Sequence, residues 1–432
     1  KQLNDRSKMY YTPNKENNVF QLVVQYGAGE REFPKLGYAA QLMNNAGIMG
    51  AYEPQELKEE LSKLNATCHV TADDDNLYII MEGYEATLPQ ACQLLSRQIL
   101  MPKLDEKQLA RLKGSAMGMR QQRKDNVSIL NEALRQYMLY GEKSDYIKEL
   151  TDKEIYELQI SELTGDINRA SNYEAKVFFT GTLPFDQVYD ILSKNLPLVA
   201  NERPSNSPQA KEMMPVTENT VYFLPNNDAE QAQIHLYIPM QKADKKDDVL
   251  RSAFNQYFGL DFTGIVLNEI REKRSMAYTA YAFVGTQGIA GKASYLRGYI
   301  GTQNDKANDA LDVLMSLVND MPKNPERIGN IKSYLRQAML TSHPSFRNKA
   351  MELVDLGYRG YTDDPAKENL PKVDALTFDD IVKFYEENIK GKPYCISIMG
   401  NPKDIDLKRL EKFGKVVKLN ERKLFNTKDA LF

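Results

Sequence analysis

Histidines are the first residues to consider for catalysis, because imidazole is the commonest protein ligand of metal ions. A catalytic zinc site usually takes two histidines from one helix, in an HExxH or HxxEH pattern, together with a third ligand. His69, His235 and His343 lie far apart, the first two in strand-like runs and the third beside Pro344 in a predicted loop. We therefore interpret each as an ordinary strand or surface histidine.

Nucleophilic catalysis finds no better support. No Ser, Cys or Thr stands in a recognisable nucleophile elbow. Cys68, Cys92 and Cys395 fit neither a disulfide framework nor a CxxC zinc pattern, so we predict buried thiols. The residues alone offer no complete catalytic set.

Two segments resemble ligand-binding loops and are better explained as hairpin turns. The acidic run at 73–75 lacks the alternating ligands, the Gly and the distal Glu of a calcium loop. The stretch from Gly285 to Ala293 has Thr286 where a phosphate loop needs its first Gly and Ala293 where it needs a hydroxyl. It also joins two strand-like runs, whereas a phosphate loop runs into a helix.

A charged segment, 271–278, connects a predicted helix to a predicted strand that runs from Met276 to Val284. Arg271 falls in the last helical turn, where a cation interacts favourably with the helix dipole, and Tyr278 is an ordinary strand aromatic. The apolar positions of the helix are Phe262, Ile265, Val266 and Ile270. The residue types by themselves favour a structural role for both Arg271 and Tyr278.

The chain repeats itself once, and the repeat predicts the architecture. Four pairs of segments recur in the same order at offsets of 210 to 220, so they differ only by loop-sized insertions. The pairs are 11–14 with 223–226, 57–63 with 267–273, 101–103 with 321–323, and 177–181 with 396–400. The repeat predicts two tandem homologous domains at 1–200 and 218–432, joined by a Pro- and Ser-rich linker at 201–217.

Hairpin signals and helix patterns within each unit predict an α+β fold, with helices packed on one face of an antiparallel-rich sheet. The chain has 432 residues, 42% of them hydrophobic, which is enough to fill two cores. Its 56 basic and 59 acidic residues give a net charge of −3, which argues against a nucleic-acid partner. A mean hydropathy of −0.53 and the lack of a long apolar run argue against a membrane span.

The segment from Leu267 to Tyr278, in which Tyr278 follows Arg271 by seven positions, resembles the Arg…Tyr signature in the C-terminal half of pitrilysin/insulinase-family zinc peptidases. The resemblance covers essentially the whole chain, including the duplication, and implies the metallohydrolase fold of LuxS and the mitochondrial processing peptidase. In this family the N-terminal half holds zinc through an HxxEH helix. The C-terminal, non-zinc half closes over the substrate.

The helix that corresponds to HxxEH in the first domain lacks the zinc ligands. Its best match is Gly37-Tyr-Ala-Ala-Gln-Leu-Met-Asn44, in which Ala40, Met43 and Asn44 stand where His, Glu and His would be. Ala and Met provide neither a hard ligand nor a general base. The resemblance therefore implies no metal in this chain and a zinc ion in a partner half.

By resemblance, Tyr278 would donate its O–H to the oxyanion or the scissile carbonyl, and Arg271 would bind a substrate carbonyl. The chain alone is expected to be inactive. One hypothesis makes it the inactive, substrate-binding half of a zinc metalloendopeptidase, cut from a longer chain or paired with a catalytic subunit. The other makes it a non-catalytic scaffold or interaction subunit that retains the peptidase fold.

The resemblance also implies partners and a location. The expected partners are an N-terminal catalytic half or catalytic subunit and an unfolded peptide substrate, which a strand of such enzymes often binds by β-augmentation. We expect a bacterial periplasmic or cell-envelope protein and leave a cytoplasmic one open.

Overall fold

The computed structural model describes residues 1–199, 202–259 and 263–428. Phe262 lies outside the described residues, and so do residue 200, where the predicted first domain ends, and residue 201, where the predicted linker begins. The described residues form two units. The first contains β1 (Lys8–Pro13), β2 (Val19–Tyr26), α1 (Leu36–Met43), β3 (Gly47–Ile48), α2 (Pro54–Lys63), β4 (Ala66–Ala72), β5 (Leu77–Tyr84), α3 (Leu88–Leu100), β6 (Pro102–Lys103), α4 (Glu106–Gln121), α5 (Val127–Tyr140), α6 (Asp145–Lys148), α7 (Asp152–Tyr156), α8 (Ile160–Ala170), β7 (Ala175–Gly181) and α9 (Phe185–Asn195).

The second unit follows an irregular connection. It contains β8 (Thr220–Pro225), β9 (Gln231–Lys242), α10 (Asp248–Phe258), α11 (Ile265–Leu267), β10 (Ala277–Thr286), β11 (Ala293–Gln303), α12 (Ala307–Asn319), α13 (Ile328–Thr341), α14 (Lys349–Tyr358), α15 (Pro365–Ala375), α16 (Phe378–Asn388), β12 (Cys395–Gly400), α17 (Leu407–Leu410) and β13 (Lys415–Lys418).

The two main sheets have the same strand order. The first runs β1-β7-β2-β5-β4, and the second runs β8-β12-β9-β11-β10 with β13 added beside β8. In each sheet the first strand pairs in parallel with a late strand, β1 with β7 and β8 with β12, while the pairs β2–β5 and β9–β11 are antiparallel. The predicted α+β class is confirmed. The exact domain limits remain a prediction.

Both segments that were interpreted as hairpin turns are hairpin turns. Between β4 and β5, the Asp73 carboxylate accepts backbone N–H bonds from Asp75 and Asn76, at 2.8 and 2.7 Å. Between β10 and β11, Gly288 and Gly291 have φ values of +73°, in the left-handed region that glycine adopts without a steric penalty. The acidic run and the Gly-rich stretch therefore have structural explanations.

A pair of asparagines marks equivalent places in the two units. Asn44, just after α1, binds both backbone groups of Val70 in β4: its amide donates to the Val70 C=O at 2.9 Å and accepts from the Val70 N–H at 2.7 Å. Asn255, in α10, binds Val284 in β10 in the same way, at 3.0 and 2.6 Å. We call each arrangement an asparagine clamp. Each clamp ties a helix to the edge strand of its sheet.

Each unit also covers the outer face of the other unit's sheet. Helix α5 of the first unit buries Leu134 and Met138, the first packed beside Met399 and the second beside Tyr237 and Cys395 of the second sheet. In return, α14 lies against β1. Arg347, just before α14, pairs with Glu82 of β5 at 3.6 Å. The two units are thus joined by a reciprocal exchange of helices.

Each unit has its own apolar core between its main sheet and its helices. Methionine often fills protein cores. Met49 nevertheless lies outside the core of the first unit, because it is in an exposed turn after β3. The prediction of buried thiols is confirmed for Cys92 and Cys395, whereas Cys68 is half-buried. Within 1–199, 202–259 and 263–428, no helix has the length and apolar character needed to cross a membrane.

Candidate functional site

The charged segment that was singled out in the sequence forms a tight helix-to-strand connection. The helix is anchored by the buried side chains of Val266 and Ile270. It widens into a π-helical turn at Asn268–Glu272, in which the Lys273 N–H donates to the Asn268 C=O at 2.9 Å. Such turns occur mostly as single-turn insertions and often at functional sites.

The chain then reverses towards β10. The Ser275 N–H donates to the Arg271 C=O at 2.8 Å, and Ser275 has a φ of +49°, which is uncommon for a residue other than glycine. These backbone bonds fix the position of Arg271 relative to the start of β10.

Arg271 and Tyr278 meet at this connection. The guanidinium carbon of Arg271 lies 5.4 Å from the centroid of the Tyr278 ring, within the range of a cation–π contact. Tyr278 is 79% exposed at the open end of the edge strand β10, which is unusual for a tyrosine whose ring could cover apolar surface. The structure therefore brings the two predicted site residues together on the surface.

Neighbouring charges leave Arg271 as the cation with the weakest partner. Glu269 accepts hydrogen bonds from Lys273 at 2.6 Å and from Arg274 at 2.5 Å, and these bonds lower the pKa of its carboxyl group. The ion pair of Arg271 is longer, 3.5 Å from its Nε to the Glu272 carboxylate. Two carboxylates and three cations between 269 and 274 give a formal charge of +1.

Tyr278 lies in an extension that only the second unit has. Asn65 and Ser275, both with a φ of +49°, end the helices that precede β4 and β10. In the first unit the clamped Val70 follows Asn65 by five positions. In the second unit the clamped Val284 follows Ser275 by nine positions. Three of the four extra residues lengthen β10 at the end that carries Tyr278, and one precedes the strand.

The helix α1, which the sequence resemblance pairs with the zinc helix, does not fit a metal. Ala40 and Met43 are fully buried in the apolar core of the first unit. The Asn44 amide hydrogen-bonds both backbone groups of Val70, and a single amide oxygen cannot hold zinc. These three positions are packing and clamping residues.

The histidines lie on separate elements, His69 on β4, His235 on β9 and His343 in the loop after α13. His235 is buried at the contact between the units, where its Nε2 lies 3.0 Å from the Asn131 side-chain oxygen. Across the described residues, no three His, Cys, Asp or Glu side chains come together in a metal-binding arrangement.

Sequence reasoning missed the asparagine clamps. Asn44 was considered only as a failed zinc ligand, and Asn255 was not singled out. Their offset of 211 falls within the 210–220 range of the internal repeat, so an asparagine-to-asparagine match could have been found by extending the repeat.

Comparison with known proteins gives a family match that runs from the end of the first unit into the second unit. Residues 171–332 match the family model described as "Peptidase M16 inactive domain", and this region contains Arg271 and Tyr278. No curated protein sequence matches the chain.

Solved structures agree along nearly the whole chain. A peptidase M16 inactive domain from Pseudomonas fluorescens is 17% identical, with a TM-score of 0.70, and the match covers 93% of this chain and 97% of that one. The periplasmic protease PqqL from Escherichia coli is 13% identical, with a TM-score of 0.70 and coverage of 91% and 44%. The ferredoxin protease FusC, solved with Arabidopsis ferredoxin, is 12% identical, with a TM-score of 0.69 and the same coverage. This chain therefore has the inactive-domain fold and spans less than half of the two proteases.

Proposed function

Because residues 171–332 match the family model of the peptidase M16 inactive domain, we propose that this chain is the inactive, substrate-binding half of a zinc metalloendopeptidase. It would close over a peptide substrate and face a zinc site on another domain pair or subunit. The observation that carries the proposal is the exposed Arg271–Tyr278 pair on an extension of β10 that the first unit lacks.

The chemistry of the pair suits peptide hydrolysis. Attack of water on a peptide carbonyl creates an oxyanion, which hydrogen-bond donors held in place can stabilise. Tyr278 would donate its phenolic O–H to this oxygen, and the planar fork of donors on Arg271 would bind a neighbouring carbonyl of the substrate. Metal binding and water activation would be the task of the partner half.

The proposal is tested with Tyr278→Phe in the complete enzyme, with the catalytic half present. Loss of one oxyanion donor should cost about 2.7 to 4 kcal/mol of transition-state stabilisation, mainly as a lower kcat. Tyr334→Phe, at an exposed tyrosine of α13, is the matched control and should retain the wild-type kcat/KM. A Tyr278→Phe enzyme with wild-type kcat/KM and intact folding would remove Tyr278 from this role.

Arg271 is expected to act on binding rather than on the chemical step. Arg271→Ala should raise KM more than it lowers kcat, because a carbonyl contact made by the substrate is retained in the transition state. Arg274→Ala, whose guanidinium is bound to Glu269, is the control for the loss of a local cation. If both Arg271→Ala and Tyr278→Phe are without effect, the scaffold or interaction-subunit hypothesis is favoured.

A further inference from the structure

A large cavity lies between the two units, beside the exchanged helix α14. Its walls come from β1 in the first unit and from α10, α14 and the turn between β10 and β11 in the second. Its volume is about 1330 Å³, above the roughly 300–1,000 Å³ of ordinary ligand pockets. Contacts between domains are a preferred place for such pockets, so the cavity is a candidate ligand site.

Helix α14 turns apolar side chains towards this cavity. Leu353 and Leu356 both line it, and Leu353 is 57% exposed. Every residue of α14 is at least partly exposed. An amphipathic helix obtains most of its stability from the packing of its apolar face. The cavity therefore leaves α14 without contacts that a surface helix normally makes.

The corresponding place beside α5 is filled by chain. Helix α5 is the counterpart of α14, since each lies on the outer face of the other unit's sheet. Strand β13 pairs with the outer edge of β8, and the residues after it bring Leu419 and Leu424 into one buried cluster with Leu130 and Leu134 of α5. Among the described strands, the matching outer strand β1 pairs only with β7, and the cavity lies beside it. Apolar side chains thus fill one place, and a cavity occupies the other.

The charges of the walls indicate which ligand fits. The described walls carry five Lys or Arg side chains and five Asp or Glu side chains, so their formal charges cancel. Part of this charge is already paired, because the Asp248 carboxylate binds Arg251 and the Tyr361 hydroxyl. A charged ligand would lose its hydration without meeting an excess of opposite charge. The cavity therefore favours an uncharged ligand.

We propose that this cavity binds an uncharged, mainly apolar small molecule, held between Leu353 of α14 and Tyr10 of β1. Such a ligand would give α14 the apolar contacts that the segment after β13 gives to α5. The inference goes beyond the proposed function and does not depend on it, since the described walls include neither Arg271 nor Tyr278.

The test uses the isolated chain and two fluorescent probes that share one skeleton. Phenylnaphthylamine is uncharged, and anilinonaphthalene sulfonate is the same molecule with one negative charge added. Fluorescence titration should show that the neutral probe binds at least about tenfold more tightly, because a buried sulfonate would meet no excess of cations. Amide exchange in residues 349–358 should slow when the neutral probe binds. Equal affinities, or binding without protection of 349–358, would overturn the proposal.

Two matched variants locate the site. Leu353 of α14 and Leu340 of α13 are similarly exposed, at 57% and 53%, and of the two Leu353 alone lines the cavity. Leu353→Lys should weaken binding of the neutral probe at least about tenfold and strengthen binding of the sulfonate, since it adds one excess cation to the wall. Leu340→Lys should leave both affinities unchanged. Equal effects of the two substitutions would refute the site. If neither probe binds the wild type, the proposal fails in favour of a chain segment of a partner protein as the occupant.

Discussion

His235 shows how a residue that suggested metal chemistry serves the contact between the units. Its ring lies 5.1 Å from the ring of Tyr299, and its Nε2 is bound to Asn131 of α5. Burial, assisted by the nearby cations of Arg297 and Arg135, lowers the pKa of His235 to about 3. The imidazole is therefore neutral in the folded protein under ordinary conditions.

Stability should depend on pH through His235. The unfolded chain protonates this histidine near its usual pKa of 6.5, whereas the folded chain does not, so stability is lost as the pH falls below about 6.5. Between pH 7.5 and 5 this loss should reach about 2 kcal/mol, at 1.36 kcal/mol per pH unit. Urea unfolding at the two pH values measures this loss. For His235→Gln the loss of unfolding free energy between pH 7.5 and 5 should be smaller than for the wild type by about 2 kcal/mol.

The comparison with the variant isolates the histidine from other titrating groups. Burial, with the neighbouring carboxylates Asp74, Asp73 and Asp145, raises the pKa of Glu30 to about 7. Because its folded pKa lies above its unfolded value, Glu30 adds stability as the pH falls, opposite in sign to His235. Because Glu30 is present in both proteins, its contribution to the pH dependence cancels in the comparison. Identical pH responses of wild type and His235→Gln would contradict the assignment.

At the residue scale, sequence reasoning located Arg271 and Tyr278 because a family pattern spans their helix-to-strand spacing. The residue types alone pointed to ordinary structural roles, since a helix-terminal cation and a strand tyrosine are common. What the sequence could not give is their exposure and contact. These depend on the π-helical turn and on the extension of β10, neither of which has a periodic signal.

At the scale of elements, the asparagine clamps are expected to stabilise each unit separately. Val70 and Val284 are buried, so removal of a clamp leaves a buried N–H and a buried C=O unpaired. Asn44→Ala and Asn255→Ala should each lower the free energy of unfolding by about 1 to 3 kcal/mol. Asn227→Ala, at an exposed turn position, should change it by less than about 0.5 kcal/mol.

The double variant tests whether the clamps act independently. They tie different helices to different sheets, so the costs of Asn44→Ala and Asn255→Ala should add within about 0.5 kcal/mol. Chemical denaturation of the two single variants and the double variant measures this. A cost well below the sum would mean that the two sheets respond as one network.

Element order was predictable because the repeat and the hairpin turns leave local signals in the sequence. The turns at 73–75 and 287–292 carry Asp and Gly at positions that favour a reversal. The reciprocal placement of α5 and α14 was not predictable, since an amphipathic helix does not specify which sheet it covers. The sequence prediction covers only one face of each sheet, and the structure shows that the other face is partly covered by the other unit.

At the scale of the whole molecule, the two exchanged helices are packed unequally. Five residues of α5, among them Leu130, Leu134 and Met138, are buried, whereas no residue of α14 is. A cavity of about 1330 Å³ lies between β1, α10 and α14, and residues of α14 from Lys349 to Leu356 form one of its walls. The contact through α5 must therefore supply most of the stability between the units.

This inequality predicts very different losses of stability for two leucine substitutions. Leu134→Ala should destabilise the chain by about 2 to 5 kcal/mol, because it leaves a cavity in the contact between α5 and the second sheet. Leu353→Ala on α14, where the leucine is 57% exposed, should cost less than about 0.5 kcal/mol. Hydrogen exchange of the wild type should likewise be faster in 349–358 than in 127–140, since a helix with few buried contacts opens at a lower free energy. Equal protection of the two helices would show that α14 is held by contacts other than apolar burial.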